Sequence, residues 1–294
     1  MKKIFITGGT GMVGRDVSNF LKDRYEIIIG TIEREAKMEG CGIIYLDITE
    51  KEKTIETISE INPDFIIHLA ALTDVNLCEE KKELARKINV EGTRNMVLAA
   101  ERIGAKLVYA STNYIFDGKK GMYTEEDIPN PINFYSITKV EGEKEVLKYP
   151  NSIVTRICPF GLGTEKNPSF TTKIIQELAN HRKMNLFTDQ FFSPIFTQNY
   201  AEALIKLLES KFTGIINLAG SERLSRYDFA KNVSKIFNLD STLLNPIKIG
   251  DLNEAAERPK DTSLDITKAR QLLGDIFLDT LSGLELMKRA KEVN

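Results

Sequence analysis

Three glycines lie between a strand pattern and a helix pattern at the start of this chain. Residues 3–7 form a short apolar run typical of a buried strand, and residues 15–22 carry apolar side chains at helical spacing. Gly8, Gly11 and Gly14 allow a tight turn, the close approach of a pyrophosphate and the close packing of helix on sheet. The N-terminus of that helix then faces the anion. Because glycines between a strand and a helix are a specific signal, we predict a dinucleotide site here.

Strand and helix patterns continue to alternate along the first half of the chain. Apolar runs with few polar positions predict strands buried on both faces, with helices between them. The later predicted strands are residues 26–31, 42–47, 64–70, 106–111 and 151–156. This order indicates an α/β fold with a Rossmann-type, doubly wound parallel sheet. Ligands of such sheets bind at the carboxyl ends of the strands.

The pattern becomes less regular in the second half, where predicted helices are separated by irregular connections and no linker of low complexity intervenes. We predict a dinucleotide-binding domain over residues 1–155, to which some later segments return. Residues 156–294 should form mainly a smaller C-terminal lobe that binds substrate.

Charge and composition exclude several classes of function. The 40 basic and 42 acidic residues nearly balance, which gives neither a basic field for nucleic acid nor a polybasic membrane patch. The 3 cysteines are widely spaced and there are 2 histidines, so we predict no disulfide framework and no metal site. The apolar run at the N-terminus is too short for a signal peptide or a membrane span, and we expect a cytoplasmic enzyme.

Tyr135 and Lys139 are four residues apart in a predicted helix and therefore share a face. A positioned cation favours phenolate, so we expect Lys139 to lower the pKa of Tyr135 and suit it to proton transfer near neutrality. This spacing also arises by chance on solvated helices. The predicted dinucleotide site is what gives it weight.

The pattern Thr7-Gly-x-x-Gly11-x-x-Gly14, together with Tyr135-x-x-x-Lys139, resembles the extended short-chain dehydrogenase/reductase superfamily. Within it, residues 111–118, 133–143, 189–194 and 258–265 are similar to the motifs of the dTDP-4-dehydrorhamnose reductase family. The resemblance implies an NAD(P)-dependent oxidoreductase. It would pass hydride from a nicotinamide to a 4-keto sugar that is attached to a nucleoside diphosphate.

The resemblance implies a catalytic triad of Thr112, Tyr135 and Lys139. Thr112 would bond the substrate oxygen, Tyr135 would donate the proton and Lys139 would hold the cofactor ribose. A threonine at a strand end also commonly satisfies a turn. Asn89 would support this site, whereas His68, in an apolar strand, is expected to be a satisfied core residue.

Cofactor contacts are expected at the glycine turn and at the strand ends. They are Gly8, Thr10, Gly11, Met12, Val13, Thr31, Arg34, Asp47, Ile48, Leu69, Ala70 and Ala71, with Tyr135 and Lys139. The second strand is not followed at once by an acid, and Arg34 is within reach, which favours NADP, while Glu33 leaves NAD open. Asp47 either meets the adenine amine or caps a turn.

Thr73, Asn113 and Arg258 are the predicted substrate contacts. Thr73 follows a strand and could equally cap a loop, and Arg258 could pair with a substrate diphosphate or form a surface salt bridge. Asn113 stands where the reductases usually carry Asp, and Cys158-Pro159 also departs from their pattern. Sugar-nucleotide dehydratases read Thr-Asp-Glu at positions 112–114. The lack of both carboxylates here argues against dehydration.

Two further functions remain open at this stage. An epimerase would use the same triad but retain its cofactor through both half-reactions. A non-catalytic, nucleotide-binding regulatory subunit has a precedent in the regulatory subunit of methionine adenosyltransferase. The expected partner is a nucleotide sugar, and a homodimer is possible.

Overall fold

The computed structural model describes residues 1–164, 167–251 and 256–293, of which 291–293 are described in backbone only. The strands are β1 (Lys3–Thr7), β2 (Glu26–Thr31), β3 (Gly42–Tyr45), β4 (Phe65–His68), β5 (Lys106–Thr112), β6 (Ser152–Ile157), β7 (Pro159–Phe160), β8 (Met184–Phe187), β9 (Phe191–Phe192), β10 (Ile195–Phe196), β11 (Gly214–Leu218), β12 (Leu224–Ser225) and β13 (Leu244–Ile247).

Helices surround these strands. They are α1 (Met12–Leu21), α2 (Lys51–Ile61), α3 (Val75–Glu80), α4 (Lys82–Arg86), α5 (Thr93–Ile103), α6 (Phe134–Val146), α7 (Phe170–Ala179), α8 (Thr197–Glu209), α9 (Arg226–Phe237), α10 (Thr267–Leu273) and α11 (Thr280–Val293). A π-helical turn, Lys87–Gly92, joins α4 to α5, and a 3-10 turn, Asn113–Ile115, follows β5. Within the described ranges, each helix is too short or too polar to span a membrane.

The main sheet has seven strands in the order β11-β6-β5-β4-β1-β2-β3, and every pair is parallel. Chain order reverses between β1 and β4, where Thr7 lies beside Gly30 on one side and His68 on the other. This is the switch point at which doubly wound sheets bind ligands. The predicted α/β, Rossmann-type fold is confirmed.

Side chains of β1 alternate between two hydrophobic layers. Ile4 and Ile6 belong to the layer under α1 and α8, whereas Phe5 belongs to the layer under α2 and α5. Both layers are dry, since all three side chains are fully buried. A third cluster around Phe229 packs α7, α9 and α11 together in the C-terminal half. Burial on both faces explains the unbroken apolar runs of the strands.

Three elements bear on the predicted division at residue 155. Strand β6 crosses that position, and β11, from the later half, pairs with β6 at the edge of the sheet. Helix α8 likewise packs on α1. The later half thus contributes to the main sheet, and the division into residues 1–155 and 156–294, which includes residues outside the described ranges, stays a prediction.

Helix α6 is fixed at its start and along its buried face. Asn133 caps the helix by accepting a hydrogen bond from the Ser136 amide at 3.0 Å. Further along, Glu143 accepts two hydrogen bonds from Arg156 of β6, at 3.2 Å from Nε and 3.0 Å from Nη2. It also accepts the Ser111 hydroxyl of β5 at 2.5 Å. Both charged side chains are almost fully buried, at 2% and 4% exposure. They therefore bind α6 to the ends of two central strands.

The Arg156→Met variant should be less stable than the native protein by about 3–5 kcal/mol, because it leaves the Glu143 carboxylate buried without its cation. Denaturant unfolding without ligand measures this. Arg94→Met is the matched control: Arg94 pairs with Glu145 of the same helix at 3.1 Å but is 51% exposed, so its loss should cost about 0–1 kcal/mol. Removing both charges, in Glu143→Leu/Arg156→Met, should restore part of the stability. Equal stability of Arg156→Met and the native protein would show that the pair is unimportant.

Candidate active site

A cleft of about 790 Å³ opens at the carboxyl edge of the sheet, between the sheet and α7 and α9. Most of the predicted cofactor residues line it: Gly8, Thr10, Gly11, Met12, Val13, Thr31, Asp47, Ile48, Leu69, Ala70, Ala71 and Tyr135. The cleft thus lies at the switch point of the sheet. Its size suits a dinucleotide together with part of a second ligand.

The glycine turn has the shape that a pyrophosphate requires. Gly8 adopts a φ of +66°, and a Cβ there would lie 2.8 Å from the Ala70 amide nitrogen. A Cβ on Gly14 would collide with the Gly8 carbonyl. Gly11 forms the N-cap of α1 and has no side chain to occupy the helix end, so the first amides of α1 face the cleft. The residues present therefore fit a bound dinucleotide.

The ends of β2 and β3 form the far wall of the cleft. Thr31 accepts a hydrogen bond from the Glu33 amide at 3.1 Å, and both residues line the cleft. Arg34 does not line it: its guanidinium lies 4.4 Å from the centre of the Tyr45 ring. Asp47 lines the cleft and also caps the turn before α2, because it accepts the Thr49 amide at 2.9 Å. Both interpretations of Asp47 are therefore compatible with its position.

The three triad residues come together where β5 meets α6. Tyr135 is 9% exposed and lines the cleft, whereas Thr112 and Lys139 are buried, at 8% and 3% exposure, and do not reach its wall. The Thr112 hydroxyl accepts the Tyr114 amide at 3.2 Å, as expected for a turn, and is close enough to Tyr135 to lower its pKa. Lys139 donates to the Ala110 carbonyl at 2.7 Å and lies 4.1 Å from the centre of the Tyr109 ring.

The pKa of Tyr135 moves in the direction opposite to our expectation. Burial raises it well above the ordinary value for a phenol, and the hydrogen bond with Thr112 opposes that shift only in part. Lys139 does not offset the burial, since its amino group is turned to the Ala110 carbonyl. In the ligand-free protein Tyr135 is therefore a neutral phenol at physiological pH. This form is a proton donor.

Lys139 has a lowered pKa. Burial brings the pKa of its amino group down to about 7, although the Glu143 carboxylate, one helical turn away, acts to raise it. The lysine thus loses part of its charge near neutrality. An amine in either form can donate hydrogen bonds to a sugar hydroxyl.

His68 is a satisfied core residue. It is fully buried, and burial together with the charge of Lys139 lowers its pKa to about 3. Thr93 donates to the Asn89 carbonyl at 2.8 Å, so His68 Nε2 must donate to Thr93 and Nδ1 must accept the Thr7 hydroxyl at 2.7 Å. The neutral ring thereby links Thr7, at the end of β1, to Thr93, at the start of α5.

Asn89 links the π-helical turn before α5 to α6. It lies in the π-helical turn, and its side chain accepts the Leu72 amide at 2.8 Å and donates to the Leu72 carbonyl at 3.0 Å. It also donates to Thr138 at 2.9 Å, the residue before Lys139. A π-helical turn often marks a functional site. The amide therefore fixes the loop after β4 against the helix that carries Tyr135.

The predicted substrate residues have different surroundings. Thr73 is exposed and lines the cleft. Asn113 is buried, accepts the Thr112 hydroxyl at 3.3 Å and donates to the Thr262 hydroxyl at 2.6 Å. Arg258 donates to Asn76 at 2.9 Å and to the Ala256 carbonyl at 3.1 Å, and it does not line the cleft. Of the three, Thr73 alone reaches the wall of the cleft.

The cleft also contains side chains that the sequence patterns did not reveal. Phe170, Phe192 and Arg226 line its C-terminal wall. They come from three segments that are far apart along the chain. Phe170 and Arg226 are the first residues of α7 and α9, directly after the capping serines Ser169 and Ser225. A serine before a helix pattern was the sequence signal that could have marked these two positions.

Comparison with known proteins places this architecture among reductases. The family described as the RmlD substrate binding domain matches residues 1–287. The dTDP-4-dehydrorhamnose reductase of Aggregatibacter actinomycetemcomitans is 31% identical over 290 residues, which cover 93% of this chain and 94% of that protein. The methionine adenosyltransferase 2 subunit beta of Rattus norvegicus is 30% identical over 279 residues, which cover 92% of this chain and 82% of that protein.

Solved structures agree over almost the whole chain. A hypothetical dTDP-4-dehydrorhamnose reductase from Sulfolobus tokodaii is 36% identical, with a TM-score of 0.85 and coverage of 96% of this chain and 98% of that one. The dTDP-4-dehydrorhamnose reductase of Bacillus anthracis in complex with NADP is 27% identical, with a TM-score of 0.89 and coverage of 99% and 100%. With the family match over residues 1–287, these likenesses confirm the predicted resemblance. The chain belongs to the RmlD substrate binding domain family, within the extended short-chain dehydrogenase/reductase superfamily.

Proposed function

We propose that this protein is an NADPH-dependent reductase of a 4-keto group on a nucleotide-activated deoxysugar, of the dTDP-4-dehydrorhamnose reductase type. The observation that carries the proposal is the position of Tyr135, a phenol on the wall of a cleft whose other end is shaped for a dinucleotide, with Thr112 close enough to act on its pKa. Reduction of a carbonyl needs a proton donor at that place. Relatives named as reductases of this type support the substrate class.

A bound NADPH supplies the hydride. Tyr135 then delivers its proton to the carbonyl oxygen as negative charge develops there, and the Thr112 hydroxyl holds the same oxygen in line. Lys139 would hold the cofactor ribose; in the ligand-free protein its amino group donates to the Ala110 carbonyl instead. Asn113 has no acidic proton to give; in the ligand-free protein its side-chain oxygen accepts the Thr112 hydroxyl, which would turn to the substrate oxygen when substrate binds.

NADP is the cofactor that we favour. The Bacillus anthracis reductase is described in complex with NADP. In this chain Arg34 follows the end of β2 and lies over Tyr45, outside the wall of the cleft, and a basic side chain after this strand is typical of NADP sites. Glu33 lines the cleft and could bond the ribose hydroxyls of NAD, so NAD remains possible.

The same proposal assigns a different ligand to each half of the chain. Residues 1–155 would bind the dinucleotide and residues 156–294 mainly the sugar nucleotide, with β11 completing the main sheet. We expect a small-molecule partner rather than nucleic acid or membrane, a cytoplasmic location and possible homodimers.

A non-catalytic, nucleotide-binding subunit is the second candidate. The specific observation in its favour is the 30% identity, over most of the chain, to a protein named methionine adenosyltransferase 2 subunit beta. The assembled positions of Thr112, Tyr135 and Lys139 favour catalysis instead. Oxidation of NADPH by the purified protein in the presence of a dTDP-linked 4-keto sugar separates the two, because a non-catalytic subunit would show none.

The Tyr135→Phe variant should lose about 10²–10⁴-fold in kcat for reduction, because the ring remains but its proton is gone. NADPH affinity, measured by fluorescence titration, should stay close to the native value. Tyr25→Phe is the matched control, since the Tyr25 hydroxyl is part-buried on Glu209 at 3.0 Å, away from the cleft, and its kcat should be unchanged. An unaltered rate for Tyr135→Phe would remove Tyr135 from the mechanism.

The Lys139→Met variant should be more stable than the native ligand-free protein, and most clearly so at low pH. Below about pH 7 the native state carries the full cost of a buried ammonium. As the pH rises above 7, the unfolded chain holds a proton that the folded chain has lost, so native stability rises and the gain shrinks. Unfolding temperatures at pH 6 and pH 9 test this.

Lys144→Met is the control for that measurement, because Lys144 is exposed on the same helix. It should change stability by a similar small amount at both pH values. An advantage of Lys139→Met that is equal at pH 6 and pH 9 would contradict the lowered pKa of Lys139.

A further inference from the structure

Arg226 has an unusual position for a charged residue. It is half-buried in the wall of the cleft, at the start of α9. Its guanidinium carbon lies 4.1 Å from the centre of the Phe192 ring and 5.0 Å from that of Phe170. The two rings cover the guanidinium and limit the positions that it can take.

The hydrogen-bond partners of the Arg226 side chain are both neutral. Nε donates to the Gln190 side-chain oxygen at 3.3 Å, and Nη2 donates to the Tyr114 hydroxyl at 3.3 Å. Within the part of the chain whose side chains are described, no carboxylate pairs with it. A guanidinium has five N–H donors, so these two long hydrogen bonds leave most of its capacity unused. The Arg226 guanidinium is therefore a cation in the cleft that no described carboxylate neutralises.

Two other arginines, Arg223 and Arg258, differ from Arg226 in their partners and in their position relative to the cleft. Arg223, three residues earlier, lies 3.7 Å over Phe191 but is paired with Asp261 at 2.7 Å. It is exposed and does not line the cleft. Arg258, predicted from the sequence to meet a diphosphate, is bonded to Asn76 and does not line the cleft either. Among these three arginines, Arg226 faces the cleft.

Arg226 is also close to the catalytic tyrosine. Tyr114, which accepts its hydrogen bond, packs in the same cluster as Tyr135. Burial raises the pKa of the Cys158 thiol, but the charge of Arg226 acts to lower it, and Cys158 in turn acts on the pKa of Tyr135. Tyr114 therefore connects Arg226 to the cluster that contains Tyr135.

We propose that Arg226 binds the diphosphate of the nucleotide sugar and thereby positions the sugar over Tyr135. This inference rests on the proposed function and deepens it. A guanidinium can bond two oxygens of a diphosphate at once and retains its charge at any physiological pH. Because the flanking rings already restrict it, little further ordering is needed when the anion binds.

The chemistry of the substrate fits this position. In a 4-keto hexose the carbonyl carbon and the anomeric carbon lie on opposite sides of the ring, and the diphosphate starts at the anomeric oxygen. A cation that recognises it must therefore lie about one sugar ring from the proton donor, beyond the side chains that contact the sugar. Tyr114, to which Arg226 donates a hydrogen bond, packs in the cluster that contains Tyr135, and the second hydrogen bond of Arg226 goes to Gln190.

The test compares binding of dTDP, UDP and GDP with binding of their nucleosides, by calorimetry, to the native protein and to Arg226→Gln. The variant should bind the diphosphates about 10- to 100-fold more weakly, as expected for the loss of charge-assisted hydrogen bonds, and bind the nucleosides and NADPH as the native protein does. Arg223→Gln is the matched control and should leave all affinities unchanged. Arg226→Lys keeps the charge but not the planar guanidinium that can bond two oxygens at once, so its affinity for the diphosphates should be intermediate.

The outcomes separate this inference from the proposed function. If Arg226→Gln binds diphosphates and NADPH as tightly as the native protein, the inference is wrong even where 4-keto sugars are reduced. It is also wrong if no diphosphate binds the native protein, or if Arg223→Gln loses as much affinity. If the diphosphate loss is found but no 4-keto sugar is reduced, Arg226 remains a diphosphate ligand and the reductase function falls. With turnover, Arg226→Gln should raise KM by a similar factor while kcat stays within a few-fold.

Discussion

The buried ion pair between Glu143 and Arg156 holds together the elements that carry the candidate active site. Glu143 lies on α6 one turn beyond Lys139, Arg156 lies near the end of β6, and Ser111 of β5 bonds the same carboxylate. A buried pair of this kind adds little to net stability, but breaking it leaves a charge without a partner. The pair therefore favours one packing of α6 against β5 and β6. That packing also sets the position of Tyr135, on α6, relative to Thr112, at the end of β5. A second set of bonds, from His68 through Thr93 and Asn89 to Thr138, fixes the same helix against the glycine turn.

Burial has opposite effects on the pKa values of two neighbouring candidate groups. It raises the pKa of the Tyr135 phenol and lowers the pKa of the Lys139 amine, because in each case the charged form is the one that loses hydration. The ligand-free protein therefore holds a neutral phenol that is a weaker acid than usual. Stabilisation of the charge that develops on a bound substrate would have to offset this shift before the proton is transferred. The lysine's lost hydration is a stability cost that a bound cofactor ribose would relieve.

The parallel sheet and the glycine turn could be predicted because they depend on local patterns: apolar runs for strands buried on both faces, and glycines where a side chain would collide with neighbouring backbone. The same patterns predicted most of the residues that line the cleft. They could not predict contacts that join distant segments. Arg34, expected at the cofactor, lies over Tyr45 in the ligand-free protein. Arg258, expected at a diphosphate, bonds Asn76, whereas Arg226, which no motif singled out, faces the cleft between two phenylalanines.

The sequence by itself determined the α/β order, the switch point with its glycine turn and the shared helix face of Tyr135 and Lys139, because these follow from local spacing; the family resemblance added Thr112 as the third residue to examine. The tertiary structure decided their chemical state and the shape of the substrate wall. The direction of a pKa shift depends on how far a group is removed from water, and the surroundings of an arginine depend on which distant side chains the fold brings beside it. Neither quantity is encoded in the local pattern, and both arise only when α6, α7 and α9 pack around the edge of the sheet.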